Sequence, residues 1–274
     1  MSMPSATIRA PQVALTPPRP QRAPSLMPRE HGAYGQFALP LVAALASARP
    51  SIASGLFAAA ATGVFLSHEP ALIVLGQRGA RALREVGPRA RRRLAGLVLA
   101  STFCGATALI LAPAARPAAA LSALLAISLA PFVAGRREKT LAGELVAAGA
   151  LPSACLPVLA AESVDLATAL QVWGAWALGF AASTAAVRAI IATAKGSSES
   201  GSGWALALPP ALAVSTAALG APAVLTGAPL LLSALALRFA RPSTKRLRQV
   251  GWVLVAASVV TAVATVCLVR AAQS

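Results

Sequence analysis

The stretch Pro28-Arg29-Glu30-His31-Gly32-Ala33-Tyr34-Gly35-Gln36 closes a polar segment and runs straight into Phe37-Ala38-Leu39-Pro40-Leu41-Val42-Ala43-Ala44-Leu45. Ahead of it, residues 1–27 hold six prolines and three arginines without a long apolar run. Behind it, apolar runs recur to the end of the chain. The stretch therefore marks a border between water and lipid, with Glu30 and His31 side by side on that border.

The chain is 57% hydrophobic and 12% charged, with a mean hydropathy of +0.71. A soluble domain carries about a quarter charged residues. The apolar runs approach the length of about 20 residues that spans a bilayer core. They place helices at 31–48, 51–75, 94–113, 117–135, 140–161, 166–190, 204–219, 221–238 and 249–270. The expected fold is an all-α polytopic membrane helix bundle of about nine transmembrane helices, with residues 28–274 as a single transmembrane domain. The run 204–238 would be about 52 Å long as one helix, more than the hydrocarbon core takes. Gly220-Ala221-Pro222 divides it in two. Residues 1–27 lack the apolar core of about 7–15 residues that a secretory signal needs. They read as a disordered, Pro/Arg-rich cytoplasmic tail.

The charges between the runs orient the bundle. With the N-terminus inside, all but three of the 24 Lys and Arg fall on the cytoplasmic side; only Arg49, Arg116 and Arg270 fall outside. Glu162 and Asp165 form an acidic external loop. This positive-inside bias predicts an N-in, C-out protein of the bacterial inner (cytoplasmic) membrane. The net charge of +16 does not make a nucleic-acid footprint. It is spread over short loops, and base-stacking aromatics are few. Cys104, Cys155 and Cys267 lie inside apolar runs without a CxxC pair and read as small core residues.

Small residues let helices approach closely in lipid, and Gly174/Ala178 and Gly179/Ser183 form small-xxx-small pairs in the sixth run. Pro131, Pro152, Pro157, Pro209 and Pro210 interrupt the runs. Buried prolines free carbonyls, which must find partners or line a cavity; both packing kinks and a central cavity near Pro152 and Pro157 fit them.

Polar residues at membrane depth are costly and mark sites. Glu30, His31, His68, Glu69, Glu144 and Arg188 are the candidates, all toward the cytoplasm. A plain reading puts each in the headgroup layer, with Glu144 paired to Arg137 or Lys139. A sharper reading gathers them into one polar cluster, able to hold a divalent metal, Mg²⁺ included, or to relay protons between histidine and carboxylate. The segment 76–93 reads as an Arg-rich loop broken at Gly87-Pro88, with Arg81 and Glu85 as i, i+4 partners. Its arginines suit anionic lipid headgroups, so membrane lipids are the expected partners. Arg78, Arg81 and Lys195 are the candidate phosphate or headgroup contacts. The segment 195–203 is Gly/Ser-rich and lacks a nucleotide fingerprint, which makes it a linker.

Pro28-Arg29-Glu30-His31-Gly32-Ala33-Tyr34, leading into the first apolar run, resembles the YwiC-like family of bacterial integral membrane proteins. Phe65-Leu66-Ser67-His68-Glu69-Pro70-Ala71-Leu72, Thr140-Leu141-Ala142-Gly143-Glu144-Leu145 and Val187-Arg188-Ala189-Ile190 fit the same likeness, as does the basic segment before Val250-Gly251-Trp252. The resemblance extends over about residues 27–270 and brings no settled activity with it. Its motif positions here would be Glu30, His31, Gly32, Glu144 and Arg188. Nine spans with prominent loops after the second and sixth are also similar in architecture to UbiA-type prenyltransferases. Those carry two Asp-rich motifs for Mg²⁺-diphosphate, whereas the only aspartate here is Asp165, on the external side. Three functions stand at this point. One is a YwiC-like membrane protein that binds a lipid or small solute in a cytoplasm-facing polar cavity. The second is a UbiA-like transferase using Glu and Arg, and the third a proton- or ion-coupled transporter.

Overall fold

The computed structural model describes residues 25–28, 31–47, 49–196, 202–240, 242–243 and 246–273, with the backbone alone for His31 and residues 202–205. The expected tail 1–24, Glu30, the His31 side chain and the segment 197–201 lie outside the described residues. Every regular element among those residues is helical: α1 (His31–Ser47), α2 (Ile52–Val74), α3 (Gly79–Leu111), α4 (Arg116–Ile127), α5 (Ala130–Ala134), α6 (Leu141–Ala150), α7 (Cys155–Ala161), α8 (Leu166–Ala194), α9 (Ser202–Ala218), α10 (Ala228–Ala240) and α11 (Leu247–Gln273). Short 3-10 turns precede α4, α7 and α10.

Among the described residues, seven helical stretches are long and apolar enough to cross a membrane: Ile52–Val74, Gly79–Leu111, Pro113–Ala134, Leu141–Ala161, Leu166–Ala194, Pro222–Ala240 and Leu247–Gln273. Gly32–Ser47 and Leu206–Ala218 are apolar but shorter. The outer surface is what lipid requires and water forbids. Leu99, Phe103 and Ile110 of α3, Leu124 and Ile127 of α4, and Val259, Val260 and Val263 of α11 are all exposed. An apolar face this continuous marks contact with a membrane. The chain is a membrane protein.

The core forms where small residues let backbones meet. On α8, Gly179 lies against Leu230, and Gly174 touches Val224. Gly227, in the turn before α10, has the Ala175 carbonyl 2.5 Å from where a Cβ would stand. Both glycines of the expected small-xxx-small pairs thus face the α10 segment. The α2–α3 hairpin closes in the same way, with Gly63 on Ser101 and Gly105 on Ala60.

The stretch Leu141–Ala161 is broken rather than continuous. Pro152 cannot donate to the helix, and the 3-10 turn Pro152–Ala154 separates α6 from α7. The interruption is fully packed: residues 152–159 are all buried. Trp173 Nε1 donates to the Gly149 carbonyl at 2.8 Å, and Ser153 Oγ donates to that of Ala150 at 2.7 Å. The prolines therefore act as packing kinks here, with side chains taking the carbonyls.

Two sequence expectations change. The segment 76–93 is not a broken loop. α3 runs through Gly87-Pro88 for 33 residues, about 50 Å. Pro88 and Arg84 are both exposed, so water or headgroups can serve the carbonyl that Pro88 leaves free. The connection from α2 shrinks to Leu75–Arg78, turned by Gly76 and Gly79 at φ of 71° and 88°. Residues 117–135 divide into α4 and α5 around Ser128-Leu129. The break at Gly220 is as expected: it stands at φ 92° between α9 and the turn before α10.

The opposite end of the bundle is tied together. Glu162 Oε1 accepts from Ser51 N at 2.7 Å, beside the capping box of α2, and Arg270 Nη2 donates to the Ala46 carbonyl at 2.8 Å. Asp165 caps α8 through Thr168 N at 2.9 Å. Hydrogen bonds from the Thr168 side chain and then its backbone hold the Asp165 carboxyl below its ordinary range, so the cap stays charged.

The packing sets an ordering of glycines. Gly227→Ala drives a methyl into backbone and costs about 1–3 kcal/mol. Gly96→Ala, with nothing within 4 Å, is neutral or stabilising by up to about 1 kcal/mol. Thermal unfolding of the two variants in one detergent checks the order.

Candidate functional site

The first turns of α1 dock on α2 through aromatic rings. Tyr34 Oη donates to the Pro28 carbonyl at 3.2 Å. Its ring meets Phe65 edge-on at 5.1 Å, and Phe65 stacks on Phe37 at 4.6 Å. One helical turn beyond Phe65 come His68 and Glu69, so Pro28 and Tyr34 of one stretch of the expected family likeness are brought to the stretch 65–72.

His68 and Glu69 then diverge. Glu69 is fully buried. A lone carboxylate there would be very costly. The tight turn after α2 returns Arg78 to it, and the guanidinium forks onto both oxygens: Nε to Oε1 at 2.8 Å and Nη2 to Oε2 at 2.6 Å. His68 is 43% exposed and points to Glu138, with Nε2 to Oε2 at 3.7 Å. Gln77 Nε2 donates to the Val133 carbonyl at 2.8 Å. The α2–α3 turn is thus held against the segment that leads to α6.

That segment is shaped by Thr140 and Gly143. Thr140 caps α6: its Oγ1 accepts from Gly143 N at 3.2 Å and donates to the Arg137 carbonyl at 2.7 Å. A Cβ on Gly143 would stand 2.5 Å from the Arg137 carbonyl oxygen and 2.8 Å from that of Glu138. Only glycine lets the loop lie on the first turn of α6. Glu144, one residue on, meets Arg188 of α8 at 2.8 Å, and Arg188 Nη1 also donates to the Lys139 carbonyl at 3.2 Å. The pair is about one-third exposed on each side.

Of the expected cluster, the structure describes His68, Glu69, Glu144 and Arg188, and they form three separate pairs rather than one nest. Glu144 pairs with Arg188, a base not expected for it from the sequence, because α6 packs on α8 and brings Arg188 across. Of the proposed phosphate contacts, Arg78 holds Glu69 and Arg81 holds Glu85 at 2.6 Å. Lys195 is exposed at the end of α8. Among the described residues, no three His, Cys, Asp or Glu side chains come together as metal donors. Each described carboxylate of the site already faces a base, so these residues do not fit Mg²⁺. Glu138 and Gln77 were not among the sequence candidates. The Thr140-x-x-Gly143-Glu144 cap beside Glu138 is the signal that pointed to this loop.

The Glu69–Arg78 pair behaves as scaffold. Arg78→Gln leaves a buried carboxylate without its base and costs about 3–5 kcal/mol, whereas Glu69→Gln/Arg78→Gln together recover most of that loss. Denaturation of the two single variants and the double variant separates the cases.

Residues 27–161 match the family model described as YwiC-like protein. No curated protein and no solved structure matches the chain. The matched part contains Tyr34, His68, Glu69, Arg78, Glu138 and Glu144, and Arg188 lies beyond it. Over residues 27–161, this membrane protein is therefore similar to the YwiC-like family.

Proposed function

We propose that the chain crosses the bacterial cytoplasmic membrane nine times, N-terminus in and C-terminus out, and binds a lipid or small solute at its polar cytoplasmic end. The observation that carries this reading is the gathering of four parts distant in sequence on one end of the bundle: Pro28 with Tyr34, 65–78, 138–144 and Arg188. The same end carries the Arg-rich start of α3, in keeping with the positive-inside rule. Glu162 and Arg270 close the other end.

The pairs divide by burial. A buried pair such as Glu69–Arg78 cannot be opened without stranding a charge. The Glu144–Arg188 pair, about one-third exposed, is worth about 0–1 kcal/mol, so a ligand's own charges can replace either partner at little cost. Arg188 offers a planar fork to a phosphate or carboxylate, and Glu144 offers an acceptor to an ammonium or hydroxyl. That combination suits a polar headgroup or a small zwitterion. Prenyl transfer on the UbiA pattern fits less well, since diphosphate departure needs clustered cations and the described carboxylates are already paired.

Two outcomes test the proposal. With Cys104, Cys155 and Cys267 replaced by alanine, a cysteine at Ser163 is expected to react with a membrane-impermeant maleimide on intact spheroplasts. A cysteine at Arg136 is expected to react only after permeabilisation; the reverse pattern would invert the topology. Native mass spectrometry of the gently extracted protein should find a bound lipid or solute whose occupancy falls at least about tenfold in Arg188→Gln, the size expected for a charged hydrogen bond, with little change in melting temperature. Undiminished occupancy would remove Glu144–Arg188 from the site. Solute flux in proteoliposomes, lost in Glu144→Gln, would make the same pair a transport site.

A further inference from the structure

The exposed face of α3 carries a second polar feature that the site does not use. Arg84, Arg89, Arg91 and Arg92 are all exposed and make no ion pair among the described residues. Glu85, the acid on this segment, is held by Arg81. On the inner face of the same stretch, Val86 and Ala90 pack on Ile73 of α2. α3 is an outer helix that packs chiefly on α2, so its other face meets the surroundings.

The direction of that face follows from helical spacing. Arg81, Arg92, Leu99, Phe103 and Ile110 follow one another by 11, 7, 4 and 7 residues, each close to a whole number of turns. They lie on one stripe. Its apolar part is open to lipid: Leu99 and Phe103 are 71% exposed and Ile110 is 74% exposed. Arg84 and Arg91, seven apart, flank the stripe. Arg91 and Arg92 therefore stand on the lipid-facing side of the helix about two turns beyond Leu99, and Arg84 about two turns further, at the headgroup end of the helix. They do not face the bundle interior, where Glu69 and Glu144 lie.

We propose that this stripe of Arg84, Arg91 and Arg92 is a docking surface for the phosphate headgroups of anionic phospholipids, which hold the otherwise single-sided helix α3 in place. Guanidinium forks match phosphate oxygens. A surface of this sign attracts an anionic leaflet, each basic residue contributing about fivefold in affinity. The helical form matters, because a rigid helix fixes the spacing of the arginines on one side, Arg84 about 10 Å from Arg91 and about 12 Å from Arg92 along the axis, as a loop would not. This docking surface lies apart from Arg188 and does not depend on the orientation of the chain, so it can fail while the solute site stands.

The test uses the full chain in phosphatidylcholine vesicles with and without phosphatidylglycerol. Phosphatidylglycerol should slow amide hydrogen exchange across residues 79–93 and remain bound on gentle extraction. Arg84→Gln/Arg91→Gln/Arg92→Gln should lower its retention by at least about tenfold, with phosphatidylcholine retention unchanged. Removing three other positive charges, Arg136→Gln/Arg246→Gln/Arg248→Gln, all exposed, should alter retention by less than about threefold; an equal loss there would mean diffuse charge attraction and overturn the proposal. Raising salt on the unmodified protein should release phosphatidylglycerol selectively, a readout that holds even where the triple variant does not fold. Retention indifferent to salt, or the same protection from inorganic phosphate in phosphatidylcholine alone, would overturn it as well.

Discussion

A charge buried inside a helix bundle must bring its counter-charge with it, and the Glu69–Arg78 pair shows what that constraint does to this fold. The carboxylate is fully buried late in α2, so the chain must turn within a few residues to supply a base. Gly76 and Gly79 make the turn possible at positive φ, and Arg78 closes it. The turn then fixes where α3 begins and where Gln77 reaches the Val133 carbonyl. The position of the segment leading to α6 follows, and with it Glu138 and Glu144. One buried pair thus sets the register of the polar end.

Backbone groups obey the same rule. The break at Pro152 survives in the middle of the bundle because Trp173 and Ser153 supply donors to the carbonyls of Gly149 and Ala150. Where no such side chains stand, as at Pro88, the helix keeps its proline on an exposed face. Small residues complete the logic, since Gly179 and Gly227 bring α8 and the α10 segment close enough for dispersion to act where lipid gives no hydrophobic drive.

Much of this was legible in the sequence, for physical reasons. Lipid demands apolar runs of fixed length, so the seven helices of spanning length and the two shorter apolar ones among the described residues can be read from composition and spacing, and Gly220 marks the break after α9 because its conformation suits few other residues. The i, i+4 pair Arg81–Glu85 was legible too, being local. The partners of Glu144 and His68 were not. Arg188 is 44 positions from Glu144 and Glu138 is 70 from His68, while nearer bases and acids offered themselves. Only the α6–α8 packing and the Gly143 close approach choose among them. The unbroken α3 was missed because Gly87-Pro88 ordinarily ends a helix; whether solvent or headgroups can serve the freed carbonyl depends on which face the proline occupies.

The central claim is that burial divides the ion pairs into a fixed scaffold at Glu69–Arg78 and an exchangeable pair at Glu144–Arg188. Nitrogen NMR of the arginine side chains in lipid nanodiscs addresses it directly, through the Nε–H exchange of Arg78 and Arg188. The account predicts slow exchange at Arg78 that is indifferent to added lipid or solute. At Arg188 it predicts fast exchange and a signal that moves when a ligand binds. Equally slow exchange at both, with Arg188 unmoved by every lipid or solute that binds the protein, would contradict it.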